Sequence, residues 1–280
     1  MSERVVSCSP RSSVLFVQCS FKGKQVCLSV DPTRRFSNRV ENYVRYRPGY
    51  PPEILPMLQR EVGLSRSTVI TDIGSGTGIS AAFFLKNGNK VFAVEPNEKM
   101  RRAAESQFKD FPLFTSIDGT AEHTTLEAAS VDLVVAAQAF HWFDKKKAKR
   151  EFQRILKLGG RIVLMWNSRR IDSTPFAARY EALLRRYATD YDLVNHKNID
   201  ESILGDFYAP HGFQTRKVFH PQMIGYEVLE GRLLSASYIP PESDSRFQPL
   251  LADLRTLFDR YQTNGTITIE YDTELYIGNL

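Results

Sequence analysis

Three glycines, at positions 74, 76 and 78, lie between two acids, Asp72 and Glu95, each of which closes a short apolar run. The first run is Val69-Ile70-Thr71-Asp72-Ile73 and the second is Val91-Phe92-Ala93-Val94-Glu95. Glycine lets a backbone approach a ligand where a Cβ would collide. A carboxylate at the end of the second run is placed to accept two hydrogen bonds from a ribose diol. A carboxylate directly before the loop repels a pyrophosphate and suits a cationic amino group. The chemistry on offer is the capture of a nucleoside that carries an ammonium and no phosphate.

These residues need a particular scaffold. A strand over 68–73, the glycine loop, a helix over about 78–87 and a strand over 90–95 form half of a doubly wound nucleotide-binding sheet. A dinucleotide fingerprint, G-x-G-x-x-G, requires its third glycine at position 79, and the residue there is Ile79. S-adenosylmethionine meets the three requirements of ammonium, ribose and no phosphate; NAD does not. An NAD-dependent dehydrogenase and a non-catalytic nucleotide-binding module are the more distant readings.

The same alternation continues along the chain. Residues 33–46 should be helical, with Phe36, Val40, Tyr43 and Val44 on one side, and Pro51-Pro52 opens a second helix to about Glu61. Asn87-Gly88-Asn89 supplies a helix stop. Asn97 caps a helix to about 108. Strands follow near 113–117 and over 131–137, the latter apolar enough to be central in a parallel sheet. A helix over 144–157, stopped by Gly159-Gly160, leads into a strand over 161–166. Helices over 175–188 and 246–261 carry apolar faces at helical spacing. Between them Arg216–His220 reads as a strand. Ile267, Ile269, Tyr271, Leu275 and Ile277 alternate as in a half-buried antiparallel strand, after an Asn264-Gly265 turn.

The stretch 31–280 resembles the class I S-adenosylmethionine-dependent methyltransferases, and looks closest to the small-molecule branch of ubiquinone/menaquinone-biosynthesis and trans-aconitate-type enzymes. The carriers are Asp72-Ile-Gly-Ser-Gly-Thr-Gly78, Glu95-Pro96-Asn97, Gly119-Thr-Ala-Glu122, Gln138-Ala-Phe-His-Trp-Phe143 and Leu158-Gly-Gly-Arg161. The resemblance implies an α/β fold, a Rossmann-like, mostly parallel seven-stranded sheet with an antiparallel C-terminal edge strand. It gives one methyltransferase domain over 31–280, with helical lid segments at about 33–62 and 170–245. It implies that Asp72, Gly74, Ser75, Gly76 and Gly78 hold the methionine end and Glu95 the ribose. Pro96, Met100, Thr120, Ala121, Glu122 and Gln138 complete the cofactor site. Relatives often carry an acid at the place of Thr120, so Glu122 or a backbone group is left to meet the adenine amino group.

On the acceptor side, His141 is the candidate base, because a histidine titrates near neutrality; the alternative is that its ring only shapes the pocket. Tyr43, Arg47, Trp142, Arg169 and Tyr238 are candidate substrate contacts. A carboxylate acceptor needs no base, whereas a hydroxyl or an activated carbon can require one. The expected partner is a small molecule, and the runner-up is a nucleic acid or protein acceptor. The chain has Gln138-Ala-Phe-His in place of the Asx-Pro-Pro-aromatic turn of base-amino methyltransferases, and no base-stacking basic surface. Lys145–Arg150 is a basic run that helical spacing scatters over a solvated face.

Composition sets the remaining bounds. The chain has 280 residues, is 42% hydrophobic and carries a net charge of +5. No apolar run approaches the roughly 20 residues needed to span a bilayer. Arg4, Arg11, Lys22 and Lys24 against Glu3 leave little excess charge for the rest of the chain, which argues against a nucleic-acid partner. Residues 1–30 hold all three cysteines, Cys8, Cys19 and Cys27, in irregular spacing that indicates neither a metal site nor a disulfide. They read as a loosely attached extension, with an organellar transit peptide as the alternative. The expected setting is cytoplasmic, as a monomer or homodimer.

Overall fold

The computed structural model describes residues 15–21, 24–30, 39–192 and 198–280, the first two stretches by backbone alone. Strands β1 (Leu15–Phe21) and β2 (Lys24–Val30) pair antiparallel as a two-stranded sheet of their own, in the segment read as a loose extension. Cys8 and the 33–38 part of the expected first helix lie outside the described residues.

Seven strands form the main sheet. They are β3 (Ile70–Ile73), β4 (Val91–Val94), β5 (Phe114–Ile117), β6 (Val131–Ala137), β7 (Leu156–Arg169), β8 (Phe213–Ile224) and β9 (Ile267–Gly278), in the order β5-β4-β3-β6-β7-β9-β8. The first five are mutually parallel, and β9 is antiparallel to both neighbours. The C-terminal strand therefore runs antiparallel as expected; it lies one place in, and β8 forms the outer edge. The alternation read at 267–277 is the buried face of β9, where Thr273 is the polar exception. Asn264 and Gly265 both take positive φ in the turn before it, a pattern that Asn-Gly favours.

Both faces of the sheet are covered, which is why β3 and β6 read as near-continuous apolar runs. On one face α5 (Lys145–Ile155) and α7 (Glu201–Tyr208) pack Phe152, Ile155, Phe207 and Tyr208 against Val134, Ala136 and Leu164. On the other, α2 (Ile54–Val62) and α3 (Ile79–Asn87) pack Ile54, Leu58 and Phe84 against Leu133, Val135 and Val163. A third apolar cluster joins α6 (Pro175–Tyr187), α8 (Tyr226–Leu234) and α9 (Phe247–Tyr261) to Ile267, Ile269 and Tyr271. No helix of the described residues is long and apolar enough to cross a membrane.

Several boundaries differ from the sequence reading. Helix α5 stops at Ile155, and the strand begins at once with Leu156 paired to Val131. Gly159-Gly160 therefore does not stop a helix: it lies inside β7, where the register with β6 shifts between Val131 and Leu133. Arg169 is the last residue of β7 rather than a residue beyond it. Strand β8 is twelve residues long, more than twice the span expected. Helices α7 and α8 fall within the helical segment expected at about 170–245, where neither had bounds of its own. Helix α1 (Val40–Tyr46) has no buried residue of its own and leans on α8, with Tyr46 seated where Gly231 has no Cβ.

Candidate active site

The carboxyl ends of β3, β4 and β6 bring the sequence-predicted residues together. Asp72 is level with Ala93 and Val135 in the sheet register, so Glu95 and Gln138 emerge just beyond it on either side. The loop between Ile73 and Ile79 is tied down by its own amides. Gly74 and Ser75 donate backbone N–H bonds to the Val94 carbonyl, at 2.9 and 3.2 Å. Gly76 N–H donates to Glu95 Oε2 at 2.8 Å, and Asn97 N–H to Glu95 Oε1 at 2.8 Å. Asn97 then caps α4 (Glu98–Gln107) by accepting from Met100 N–H.

Asp72 is fully buried beneath this loop. Its Oδ2 accepts the Ser80 hydroxyl at 2.6 Å, while Oδ1 and the hydroxyls of Ser75 and Thr77 find no partner among the described residues. Burial pushes the Asp72 carboxyl up to about 7, and nearby Glu95 pushes in the same direction. Burial also raises Glu95. A buried carboxylate with an unpaired oxygen costs free energy until a donor or cation meets it.

The three glycines do different work. All have positive φ, near +67°, +58° and +88°. A Cβ on Gly74 would lie 2.7 Å from Ala139 Cβ, and one on Gly78 would run into the Phe108 ring. A Cβ on Gly76 would meet nothing nearer than Met100 Sδ at 3.8 Å and Tyr43 Cε1 at 4.0 Å. Two glycines thus allow close packing inside the protein, while a Cβ on Gly76 would fit at ordinary contact distance.

Beside the loop lies a cavity of about 220 Å³. It gathers Gly74, Ser75, Gln138, His141 and Trp142 from the sheet edge with Tyr43, Arg47, Arg169 and Tyr238 from the covering segments. All five residues expected to contact substrate, and the candidate base, therefore share one cavity. Gly76, Gly78, Glu95, Pro96, Met100, Thr120, Ala121 and Glu122 do not line it; they lie around the loop and the turn after β5. In that turn Thr120 and His123 exchange backbone hydrogen bonds, and Glu122 Oε1 accepts from Asp144 N–H at 2.8 Å. One carboxylate oxygen of Glu122 thus fixes the approach to α5.

Gln138 has φ +59°, a conformation that strains a residue with a side chain, and its N–H donates to the Met165 carbonyl. The turn after it puts the His141 and Trp142 rings 4.7 Å apart, centroid to centroid. Lys145 Nζ donates to the His141 carbonyl at 3.2 Å, and burial lowers that lysine. The remaining cations of the basic run are spread around the start of α5.

Sequence reading missed several lining residues, among them Asn167, Arg232 and Tyr271. Asn167 receives the Thr273 hydroxyl at 2.6 Å and donates to the Gly49 carbonyl at 3.0 Å, which anchors the chain before α2 over the sheet. Arg232 and Tyr271 come from α8 and β9. Only the polar break at Thr273 in an apolar stripe offered a hint. Arg169 is engaged more than expected: Nη2 pairs with Glu181 at 2.6 Å, and the guanidinium lies over the Tyr180 ring.

The fold is a doubly wound α/β sheet with its site at the carboxyl edge. Comparison with known proteins agrees. Residues 71–164 match the family described as a methyltransferase domain. An uncharacterized methyltransferase-like protein of Schizosaccharomyces pombe is 29% identical over 248 residues, 86% of this chain and 93% of that protein. An uncharacterized methyltransferase of Mycobacterium tuberculosis is 37% identical over 147 residues, 51% of this chain and 56% of its own. A solved structure from Anaeromyxobacter dehalogenans superposes with TM-score 0.63 at 22% identity, over 84% of this chain and 98% of that one. The chain is a class I S-adenosylmethionine-dependent methyltransferase, and its cofactor is S-adenosylmethionine. The buried, half-satisfied Asp72 fits that group.

Proposed function

We propose that the enzyme methylates a small-molecule acceptor held in the cavity beside the glycine loop. The observation that carries this reading is the position of Asp72. Its unpartnered oxygen lies under the glycine loop, whose Gly74 and Ser75 line a cavity shared with distant segments. Bound S-adenosylmethionine supplies a methyl on a sulfonium, whose positive charge is lost as the methyl leaves. Asp72 receives the ammonium of the methionine end, and the loop amides shape its seat. Glu95 uses one lone pair of each oxygen on Gly76 and Asn97 N–H groups, and keeps the others for the ribose diol. Pro96, Met100 and the 120–122 turn border the base, with Glu122 or a backbone group meeting its amino nitrogen.

Within one methyltransferase domain over 31–280, residues 39–50 with α6, α8 and the stretch to Tyr238 act as the lid, while α2, α7 and β8 belong to the sheet and its faces. Tyr43, Arg47, Trp142 and Tyr238 orient the acceptor by excluding water and restricting its poses, which can supply several kcal/mol of the barrier reduction. Gln138, held in strained backbone, sets the floor between cofactor and acceptor. His141 accepts a proton from a hydroxyl acceptor, or shapes the pocket for one already ionised. A cavity of about 220 Å³ suits a small molecule better than a polymer. The enzyme works in the cytoplasm as a monomer or homodimer. Incubation with methyl-labelled cofactor and fractionated metabolite pools tests the reading. Label should appear in small, organic-extractable products, and label found only in nucleic acid or protein would sink it.

A further inference from the structure

Three arginines and one histidine line the cavity, and no aspartate or glutamate does. Only one of the three arginines is matched: Arg169 pairs with Glu181, which also accepts the Tyr191 hydroxyl. Arg47 and Arg232 have no carboxylate within ion-pair distance among the described residues. Arg47 Nη2 donates to the Ser235 carbonyl at 3.2 Å, its Nε is buried with no partner, and its guanidinium lies 5.0 Å from the Tyr43 ring centroid. Arg232 donates through Nε to the Tyr46 carbonyl at 3.0 Å, through Nη1 to the Tyr271 hydroxyl at 3.3 Å, and through Nη2 to Gln222 Oε1. All these acceptors are neutral. The two contacts are reciprocal: Arg232 holds the carbonyl beside Arg47, and Arg47 holds a carbonyl one turn beyond Arg232. Both charges thus stand in one part-buried wall with no lining acid to offset them.

We infer that the acceptor is an anion, and that Arg232 is its anchoring residue. The inference rests on the proposal that the acceptor occupies this cavity. Arg47 adjoins Tyr43, which stands over Gly76, so it serves the methionine carboxylate of the cofactor. Arg232 stands with Tyr271 on the side supplied by α8 and β9, and has donors to spare: three of its five N–H groups are engaged. A guanidinium fork matches a carboxylate in two parallel hydrogen bonds. Tyr180, Tyr191, Tyr238 and Trp142 offer flat apolar walls for the body of the ligand. An ammonium acceptor would face unpaired cations with no lining acid to offset them.

The test loads the full chain with S-adenosylhomocysteine and titrates benzoate, cinnamate and fumarate by calorimetry, each beside its carboxamide. At least one acid should bind ten-fold or more tighter than its amide. Arg232→Gln should weaken that acid by on the order of 10- to 100-fold while affinity for S-adenosylhomocysteine stays within about three-fold. Because Arg232 also secures the Tyr46 carbonyl, Ser237→Asp provides a second arm. It places a negative charge on the cavity wall, leaves both arginines in place, and should weaken the acid in the same way. Acids bound no tighter than their amides, or variants that leave the difference intact, would overturn the inference. Loss of S-adenosylhomocysteine binding by the unaltered chain would instead count against the cofactor site itself.

Discussion

Glu95 Oε2 accepts the backbone N–H of Gly76 at 2.8 Å, so the acid proposed to hold the ribose also fixes the shape of the glycine loop. Its other oxygen accepts Asn97 N–H, at the start of α4. One buried carboxylate therefore couples the β3–α3 loop to the β4–α4 turn. Glu95→Gln keeps the volume but turns an amide NH₂ toward one of these N–H donors. Such a buried mismatch costs roughly 1–3 kcal/mol. We expect a lower melting temperature and cofactor affinity reduced by about 10- to 100-fold. Unchanged affinity in calorimetry would show that neither the ribose nor the loop depends on Glu95.

Asp72 gives the site a pH dependence. Burial sets its carboxyl at about 7 in the folded chain, against roughly 3.9 in an unfolded one. Between these values the folded chain holds a proton that the unfolded chain has lost, so this group's contribution to stability declines as pH rises from about 4 to 7. Cofactor binding has the opposite slope. An ammonium prefers the ionised carboxylate, so affinity should rise with pH through about 7. It should level off near 8, where an α-amino group begins to deprotonate. Asp72→Asn should flatten the acid limb. A profile in which that variant keeps the full slope would assign the titration elsewhere.

The glycines should separate stability from binding. Gly74→Ala forces a Cβ to within 2.7 Å of Ala139 Cβ at a positive φ, and should cost about 2–4 kcal/mol of stability. Gly76→Ala places its Cβ at ordinary contact distance from Met100 and Tyr43 and should cost only the backbone strain, about 1–2 kcal/mol. Gly76→Val should leave a folded chain that no longer binds S-adenosylhomocysteine. Thermal melts and calorimetry on the same preparations check both orderings, and micromolar binding by folded Gly76→Val would remove the loop from the site.

His141→Ala distinguishes its two roles. As a base it should lower the maximal rate by roughly 10²–10⁴ with cofactor affinity almost unchanged. As a wall of the pocket it should raise the acceptor KM and leave the rate within about ten-fold. An anionic acceptor anchored by Arg232 is compatible with either outcome. A rate flat from about pH 5.5 to 9, together with a mild variant, would exclude the base role.

The cofactor half of this enzyme was legible in the sequence because its determinants are local. Asp72, the 74/76/78 glycines, Glu95 and the Asn97 cap act within one strand–loop–helix–strand unit, and each apolar run sits in a sheet buried on both faces, so composition alone identifies it. The tertiary structure decided the rest. No spacing could divide the glycines into two whose Cβ would clash and one with room for it, because Ala139, Phe108 and Tyr43 arrive from other elements. The Gly159-Gly160 pair read as a helix stop and is part of a strand bulge, since pairing with β6 overrides local propensity. The sequence pointed to Arg169 as a substrate contact and passed over Arg232. Both line the cavity, but only folding gave Arg169 a carboxylate in Glu181 and left Arg232 with neutral acceptors, because charge pairing depends on elements that meet only when the chain closes.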